Sequence, residues 1–385
     1  MACVYLDYMA STPLAEAAFQ AMLPCLQPDT PLGNPSSKSF GIKTQLLIDQ
    51  AAQQVASSIG ATADSIIWTS GATEANNLAI KGATQFYRRK GKHIVTMACE
   101  HKAVLGPCKV LEGLGYDVCY LMPDADGLLD IDLLKSVLRK DTVLVSVMHV
   151  NNETGIVQDI AAISKCIKAV GALFHVDASQ SIGKSPVDVA TMGVDLMTLS
   201  AHKSYGPIGV GALYVRQKPR IHLESQIHGG QHQSGLRSGT LPIHQIVGMG
   251  AAFKNTLEDY VNESHRVESL RDLVWSGLKA IGGVTLNGNF DYQVPHCLNV
   301  SFDGVYIDSL LLALRRFIIS TGSSCNAALN EPSHVLLSMG VDEISARHSM
   351  RISFGRYTRV DECQLFIEQC TTAIQRLRQL SPRTP

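Results

Sequence analysis

Through the first two-thirds of the chain, short runs of apolar and β-branched residues alternate with longer stretches whose apolar positions return at helical spacing. The strand-length runs are 65–69, 93–96, 117–121, 143–149, 173–176, 195–199 and 211–215, and between them Ala51, Ala52, Val55 and Ile59, then Ile160, Ile163 and Ile167, mark helix faces. This alternation predicts an α/β fold: a mainly parallel seven-stranded sheet covered by helices. A glycine-rich run at 228–242 follows and reads as a boundary region, and beyond it a long amphipathic helix is expected over 258–278. Strands at 297–302 and 350–354, with helices at 309–316 and 362–380, complete a smaller α+β unit. The expected division is a large domain over 15–257 and a small domain formed by 1–14 and 258–385, the latter carrying a mobile loop at about 320–332 whose residues are small and polar.

Composition narrows the classes. The 385 residues are enough for two or three domains. With 33 basic against 34 acidic side chains the formal charge is −1, so no global field draws in nucleic acid or an anionic membrane. The longest wholly apolar run, Leu310 to Leu314, ends at Arg315, far short of the roughly 20 residues a bilayer requires. The first residues do not form a basic stretch followed by an apolar one, and a cytoplasmic protein is expected. The 10 cysteines are scattered without a C-x-x-C pair, so most are expected to be reduced, partly buried hydrophobes. No metal site is read from the sequence.

In an open parallel sheet the ligand sits beyond the carboxyl ends of the strands, so the polar residues that follow each run are the informative ones. After 65–69 comes Ser70-Gly71-Ala72-Thr73-Glu74, opening a helix whose first amides suit a phosphate, although such a run serves equally as a plain N-cap. After the next strands come His101, then Asn151-Asn152-Glu153, which is also ordinary turn chemistry. Asp177 closes a buried strand, where a carboxylate needs a cation or strong donors unless it merely caps the next turn, and Gln180 follows it. Ser200, His202 and Lys203 close the strand after that, and a partly desolvated lysine there can form a Schiff base with a carbonyl cofactor. An amine, a carboxylate, an imidazole, amides and a phosphate seat are the parts of a pyridoxal 5'-phosphate site.

These residues also resemble a family. Thr69 to Glu74, Glu100-His101-Lys102, His149 to Glu153, His175 to Ala178, His202-Lys203, Arg237 to Thr240 and Gly322 to Cys325 are similar, in the same order, to the motifs of NifS/IscS cysteine desulfurases. The resemblance runs from about Tyr5 to the end of the chain. It implies a fold-type I pyridoxal-phosphate enzyme, a homodimer, that converts L-cysteine to L-alanine and passes the sulfur, as a protein persulfide, to an acceptor protein in iron–sulfur assembly or a thio-modification pathway. It implies that Lys203 holds the cofactor and moves the substrate Cα proton and that His101 stacks on the ring. Asp177 meets the ring nitrogen, Gln180 meets the phenolic oxygen with Asn152 along that same edge, and Ala72, Thr73, Ser200 and His202 hold the phosphate. Thr240 reaches the phosphate of the neighbouring subunit, Asn34 and Arg351 bind the substrate carboxylate, and Cys325 accepts the sulfur.

Three departures from the family pattern stand out: Ser324 and Asn326 flank Cys325 in place of alanine and threonine, Ala201 and Ser204 flank His202-Lys203 in place of glycine and isoleucine, and no lysine follows Pro207. The chain also ends at Pro385 without the longer tail of scaffold-feeding members, which leaves the acceptor open. The rival readings are a desulfurase dedicated to DNA phosphorothioation or tRNA thiolation, with nucleic acid reached only through a partner, a selenocysteine lyase, and a catalytically silent scaffold. A dinucleotide-binding protein is excluded because no strand is followed by G-x-G-x-x-G.

Overall fold

A computed structural model of the chain describes residues 3–28, 32–33, 41–321 and 331–380. Asn34 and Cys325 lie outside the described residues. In chain order the elements are β1 (Val4–Tyr5), α1 (Glu16–Met22), α2 (Gly41–Ser57), β2 (Ile66–Thr69), α3 (Ala72–Phe86), β3 (His93–Met97), α4 (Lys102–Gly113), β4 (Asp117–Leu121), α5 (Ile131–Val137) and β5 (Thr142–Met148). There follow α6 (Ile160–Ala169), β6 (Leu173–Asp177), α7 (Val189–Met192), β7 (Leu196–Ser200), β8 (Gly211–Val215), α8 (Ile243–Glu258), α9 (Tyr260–Lys279), β9 (Val284–Leu286) and β10 (Cys297–Phe302). The chain continues through α10 (Ile307–Ala313), β11 (Phe317–Ile318), α11 (His334–Ser338), α12 (Glu343–Arg347) and β12 (Ser349–Ser353) to α13 (Val360–Leu380).

The large sheet has seven strands in the order β2-β8-β7-β6-β5-β3-β4. Only β8 runs against its neighbours, and the remaining pairs are parallel. The central strands β5 and β7 are buried at every position, as a sheet covered on both faces demands. One face packs on α2, α6 and α8 through Ile48, Val55, Ile163, Met249 and Phe253; the other packs on α3 and α4 through Leu78, Ile80, Val104 and Leu111. A separate core joins β10 and β12 to α9, α10 and α13, with Phe302, Ile352, Val274 and Phe366 inside it. Val4 and Leu6 belong to that second core, and β1 pairs in parallel with β11.

The helix expected over 258–278 is present as α9, shifted by one or two residues at each end, and a helix not expected from the sequence precedes it. Two helices, α8 and α9, occupy 243–279, separated at Asp259. Gly248 and Gly250 on the first of them are sites of close approach. A Cβ on Gly250 would lie 2.9 Å from the Ala51 Cα, and one on Gly248 would lie 2.6 Å from the Met22 Sδ. The glycine-rich run therefore precedes a helix buried against the large core, and the change of core comes after Glu258.

Replacing Phe253, wholly buried on α8, by alanine should destabilise the protein by roughly 3–5 kcal/mol. The exposed Lys254 of the same helix should tolerate alanine within about 0.5 kcal/mol; paired denaturant unfolding curves check the contrast. The buried imidazoles give a pH prediction. Burial pushes His149 and His175 down to about 4, whereas unfolded imidazoles take protons near 6.5. Stability from these groups is thus complete above about pH 6.5 and is lost as pH falls toward 4, at about 1.4 kcal/mol per pH unit for each imidazole. The melting midpoint should drop between pH 7.5 and 5; no drop would contradict neutral burial.

Candidate active site

Five strand ends converge on one cavity of about 500 Å³. From the end of β2 the chain turns through Gly71, at φ +152°, where a Cβ would meet no protein atom within 4 Å, so the turn opens onto empty space. No side chain caps α3, which disposes of the plain N-cap reading and leaves the first-turn amides at Ala72 and Thr73 for an anion. Glu74 anchors this turn by accepting from the Ser70 amide at 2.8 Å and from Arg237 Nε at 2.8 Å. Burial alone would raise its pKa, but the Arg237 and Ser70 donors outweigh that and hold it low.

His101 caps α4, its Nδ1 accepting from the Ala103 amide at 3.0 Å. The neutral ring must therefore carry its proton on Nε2. Burial favours that neutral form and lowers the pKa, with Asp177 opposing and Lys203 and His334 adding to the fall. Both readings of the Asn-Asn-Glu turn hold, on different residues. Asn151 Oδ1 accepts from the Glu153 and Thr154 amides as turn chemistry, while Asn152, on the cavity wall, has a water-shielded Oδ1 with no partner. Asp177 likewise does both jobs. Its Oδ1 accepts from the Ser179 amide, capping the turn, and its Oδ2 accepts from Asn76 Nδ2 at 2.7 Å while the residue lines the cavity. Gln180 donates to the Met9 carbonyl at 2.7 Å, and its Oε1 is buried without a partner.

Lys203 follows β7 in a single 3-10 turn, Ala201–Lys203. Its amine donates to the Met9 carbonyl at 2.9 Å and the Ala10 carbonyl at 2.7 Å. Behind it Lys184, fully buried, donates to the Lys203 carbonyl at 2.7 Å. Burial, then the charge of Lys203, pull the Lys184 pKa down to about 7. His202 is held near 4, first by burial and then by the charges of Lys203 and Lys184, and its Nδ1 lies 3.2 Å from the Ser11 hydroxyl. Tyr205, two residues on, has φ +61°, a strained conformation for a bulky side chain. It is imposed by Thr12, which accepts from its amide at 2.7 Å, and by Glu263, which accepts from its hydroxyl at 2.7 Å.

Arg351 on β12 brings the second core into the cavity and is 3 % exposed. The expected residues Ala72, Thr73, His101, Asn152, Asp177, Gln180, Ser200, His202, Lys203 and Arg351 thus all line one space. Thr240 does not; it is exposed at the end of the glycine-rich run. Asp7, Lys184 and His334 escaped the sequence reading, and Glu100 entered it only within the Glu100-His101-Lys102 motif, without a role. Glu100 accepts from the Met148 amide at 2.6 Å, and burial holds its pKa well above the ordinary range. His334 lines the cavity and its Nε2 lies 3.0 Å from the Glu100 carbonyl. Adjacency to His101 in sequence was the only signal for Glu100, and nothing short of topology marks the others. Among the described residues no cluster of three or more His, Cys, Asp or Glu could hold a metal, and no helix is long and apolar enough to cross a membrane.

The orphaned Asn152 and Gln180 oxygens, the uncapped α3 amides and the carboxylate on one wall make an incomplete polar lining that a planar, phosphorylated, heteroaromatic group fits. The Aminotransferase class-V family model matches residues 4–366. The cysteine desulfurase IscS of Proteus mirabilis is 50% identical over 381 residues, covering 98% of this chain and 94% of that one. A solved NifS-like protein superposes with a TM-score of 0.90 at 32% identity, covering 97% of this chain and 99% of that one. The structure described as SspA in complex with cysteine superposes at 0.82 with 38% identity, covering 92% and 100%. A full-length match in sequence, together with the same fold around the same strand ends, places the chain in the class-V aminotransferase family, among the cysteine desulfurases of the NifS and IscS type.

Proposed function

We propose that the chain is a pyridoxal-phosphate-dependent cysteine desulfurase in which Lys203 holds the cofactor and Cys325 takes the sulfur of L-cysteine as a persulfide, leaving L-alanine. The observation that carries this reading is the convergence of Lys203, His101, Asp177 and Arg351 on one cavity. L-cysteine plus a protein thiol gives L-alanine plus a persulfide, a sum that balances without an outside oxidant.

Bound there, pyridoxal phosphate supplies an electrophilic carbon and an electron-withdrawing ring. The chain's residues do the rest. The α3 amides at Ala72 and Thr73, with Ser200 and His202, hold the phosphate, and neutral His202 accommodates it as a hydrogen-bond partner. Asp177 would keep a proton on the ring nitrogen, Gln180 would meet the phenolic oxygen, and Asn152 would line that same edge. The Lys203 amine moves a proton at the substrate Cα, starting from its bonds to two carbonyls that orient it. His101 offers an Nε2–H, a donor poised for the substrate side. Arg351 and Asn34 receive the substrate carboxylate.

Two further parts complete the reading. The enzyme works as a cytoplasmic homodimer in which Thr240 serves the neighbouring subunit's phosphate. Support for the dimer comes from exposed apolar side chains on α1 and α2, Phe19, Ile42 and Leu46, beside a core helix they share, α8. Support for a reducing compartment comes from the described cysteines, all of them unpaired. The large domain, 15–257, binds the cofactor, and the small domain, 1–14 with 258–385, carries the sulfur-accepting residue and passes the sulfur to an acceptor protein.

Borohydride reduction of the holoenzyme should fix the cofactor to a peptide containing Lys203, and Lys203→Ala should retain none; label on the variant would refute the assignment. Cys325→Ala should keep the fixed cofactor yet lose protein persulfide and lower desulfuration at least about a hundredfold. Full turnover in that variant, measured as L-alanine released from L-cysteine, would move the acceptor elsewhere.

A further inference from the structure

Arg351 is buried and gripped on two sides. Its Nη2 donates to Asp7 Oδ1 at 2.6 Å and its Nη1 to the Asn152 carbonyl at 2.6 Å. The remaining nitrogen, Nε, is shielded from water and has no acceptor. A guanidinium carries five donors and no acceptor, so the two bonds to Asp7 and Asn152 leave donors over on a residue that lines the cavity, and a carboxylate matches its charge. The other acids on that wall are engaged. Glu153 accepts from the Ser333 hydroxyl at 2.5 Å, and Asp177 accepts from Asn76 and Ser179. Among the described residues the acid in ion-pair contact with Arg351 is Asp7.

Asp7 follows β1 and is itself buried. Burial raises its pKa, and the pull of Arg351 and then Lys203 does not cancel the rise. Attraction to Arg351 and Lys203 therefore does not fully offset the cost of burying the Asp7 carboxylate. We propose that Asp7 is the resident counter-ion of Arg351, a positioning residue that orients the guanidinium and, by partly neutralising it, sets how tightly the site grips an amino-acid carboxylate. The proposal rests on the reading of Arg351 as the carboxylate-binding group.

A ligand carboxylate reaching Arg351 meets the charge of Asp7 as well as that of the guanidinium, and its grip is weaker than an unpaired arginine would give. A product with the same carboxylate leaves the more readily for it. Removing the charge of Asp7 while keeping its shape offers the whole cation to the ligand and also leaves that cation buried without a counter-charge. Affinity for a carboxylate should rise while stability falls; a merely structural residue would lower both.

The test compares L-alanine with ethylamine, the same amine without its carboxylate, in titrations of the holoenzyme followed by cofactor absorbance, with melting midpoints recorded alongside. In Asp7→Asn the Kd for L-alanine should fall roughly three- to tenfold, that for ethylamine should stay within about twofold, and the midpoint should drop. If that variant does not fold, Asp7→Glu keeps the charge on a longer arm that turns the guanidinium, and L-alanine should bind more weakly by a similar factor with ethylamine again unmoved. The inference is overturned if, in whichever variant folds, the two ligands shift together or neither shifts. Arg351→Gln separates this from its premise. It should weaken L-alanine and spare ethylamine; if it changes neither, Arg351 does not read the carboxylate, whereas the expected result there with unresponsive Asp7 variants sinks only the role of Asp7.

Discussion

The site depends on a short N-terminal segment being held between the two cores. Residues 7–12 receive the Lys203 amine on the Met9 and Ala10 carbonyls, the Gln180 amide on the Met9 carbonyl and the Arg351 guanidinium on Asp7. Thr12 adds two donors to the His202 carbonyl, and the Met9 amide donates to the Ser353 hydroxyl. Lys203, Gln180 and His202 belong to the large sheet, Arg351 and Ser353 to the small one. Buried donors and acceptors left unpaired are expensive, so the segment cannot drift from either core without exposing several of them. Its backbone carbonyls also accept from the Lys203 amine and so aim the side chain.

Electrostatics in the cavity follow from scarcity of water more than from any one charge. Burial makes His101 and His202 favour the neutral form, and it drives Glu100 toward the protonated acid. The Arg351 cation is met by the Asp7 carboxylate and the Asn152 carbonyl, whereas burial and then the charge of Lys203 pull Lys184 down to about 7. An anionic group entering such a space finds donors that lose little by reorganising, because the fold has already fixed them. The same scarcity explains the orphaned Asn152 and Gln180 oxygens, which make sense as partners reserved for a bound group.

The sequence made the strand ends legible because parallel strands are continuous apolar runs and the residue after each run must lie on one edge. Asp177, Lys203 and His101 were found that way. Helix α8 was not legible, since Gly248 and Gly250 punctuate it like a loop while serving close contact with α1 and α2. Asp7 was hidden for another reason. Its strand, β1, has two residues and pairs across more than 300 positions with β11, so periodicity has nothing to register. Lys184 reads as a solvated lysine in any local window; only topology brings it behind Lys203 and buries it.

Chain geometry also limits where the sulfur acceptor can be. On one side Ser320 is fixed by exchanging backbone hydrogen bonds with Arg351, at 3.2 and 2.7 Å. On the other, Ser333 bonds Glu153, which lines the cavity, and His334, itself on the cavity wall, approaches the Glu100 carbonyl. Cys325 is five residues from Ser320, and a fully extended chain spans at most about 3.3–3.6 Å per residue. Its Cα therefore stays within roughly 18 Å of a residue paired to Arg351, whatever path the intervening residues take. Among the described residues, Cys297 feels the charge of Arg351 but is wholly buried, and burial pushes its thiol up to about 12, the opposite of what a nucleophile needs.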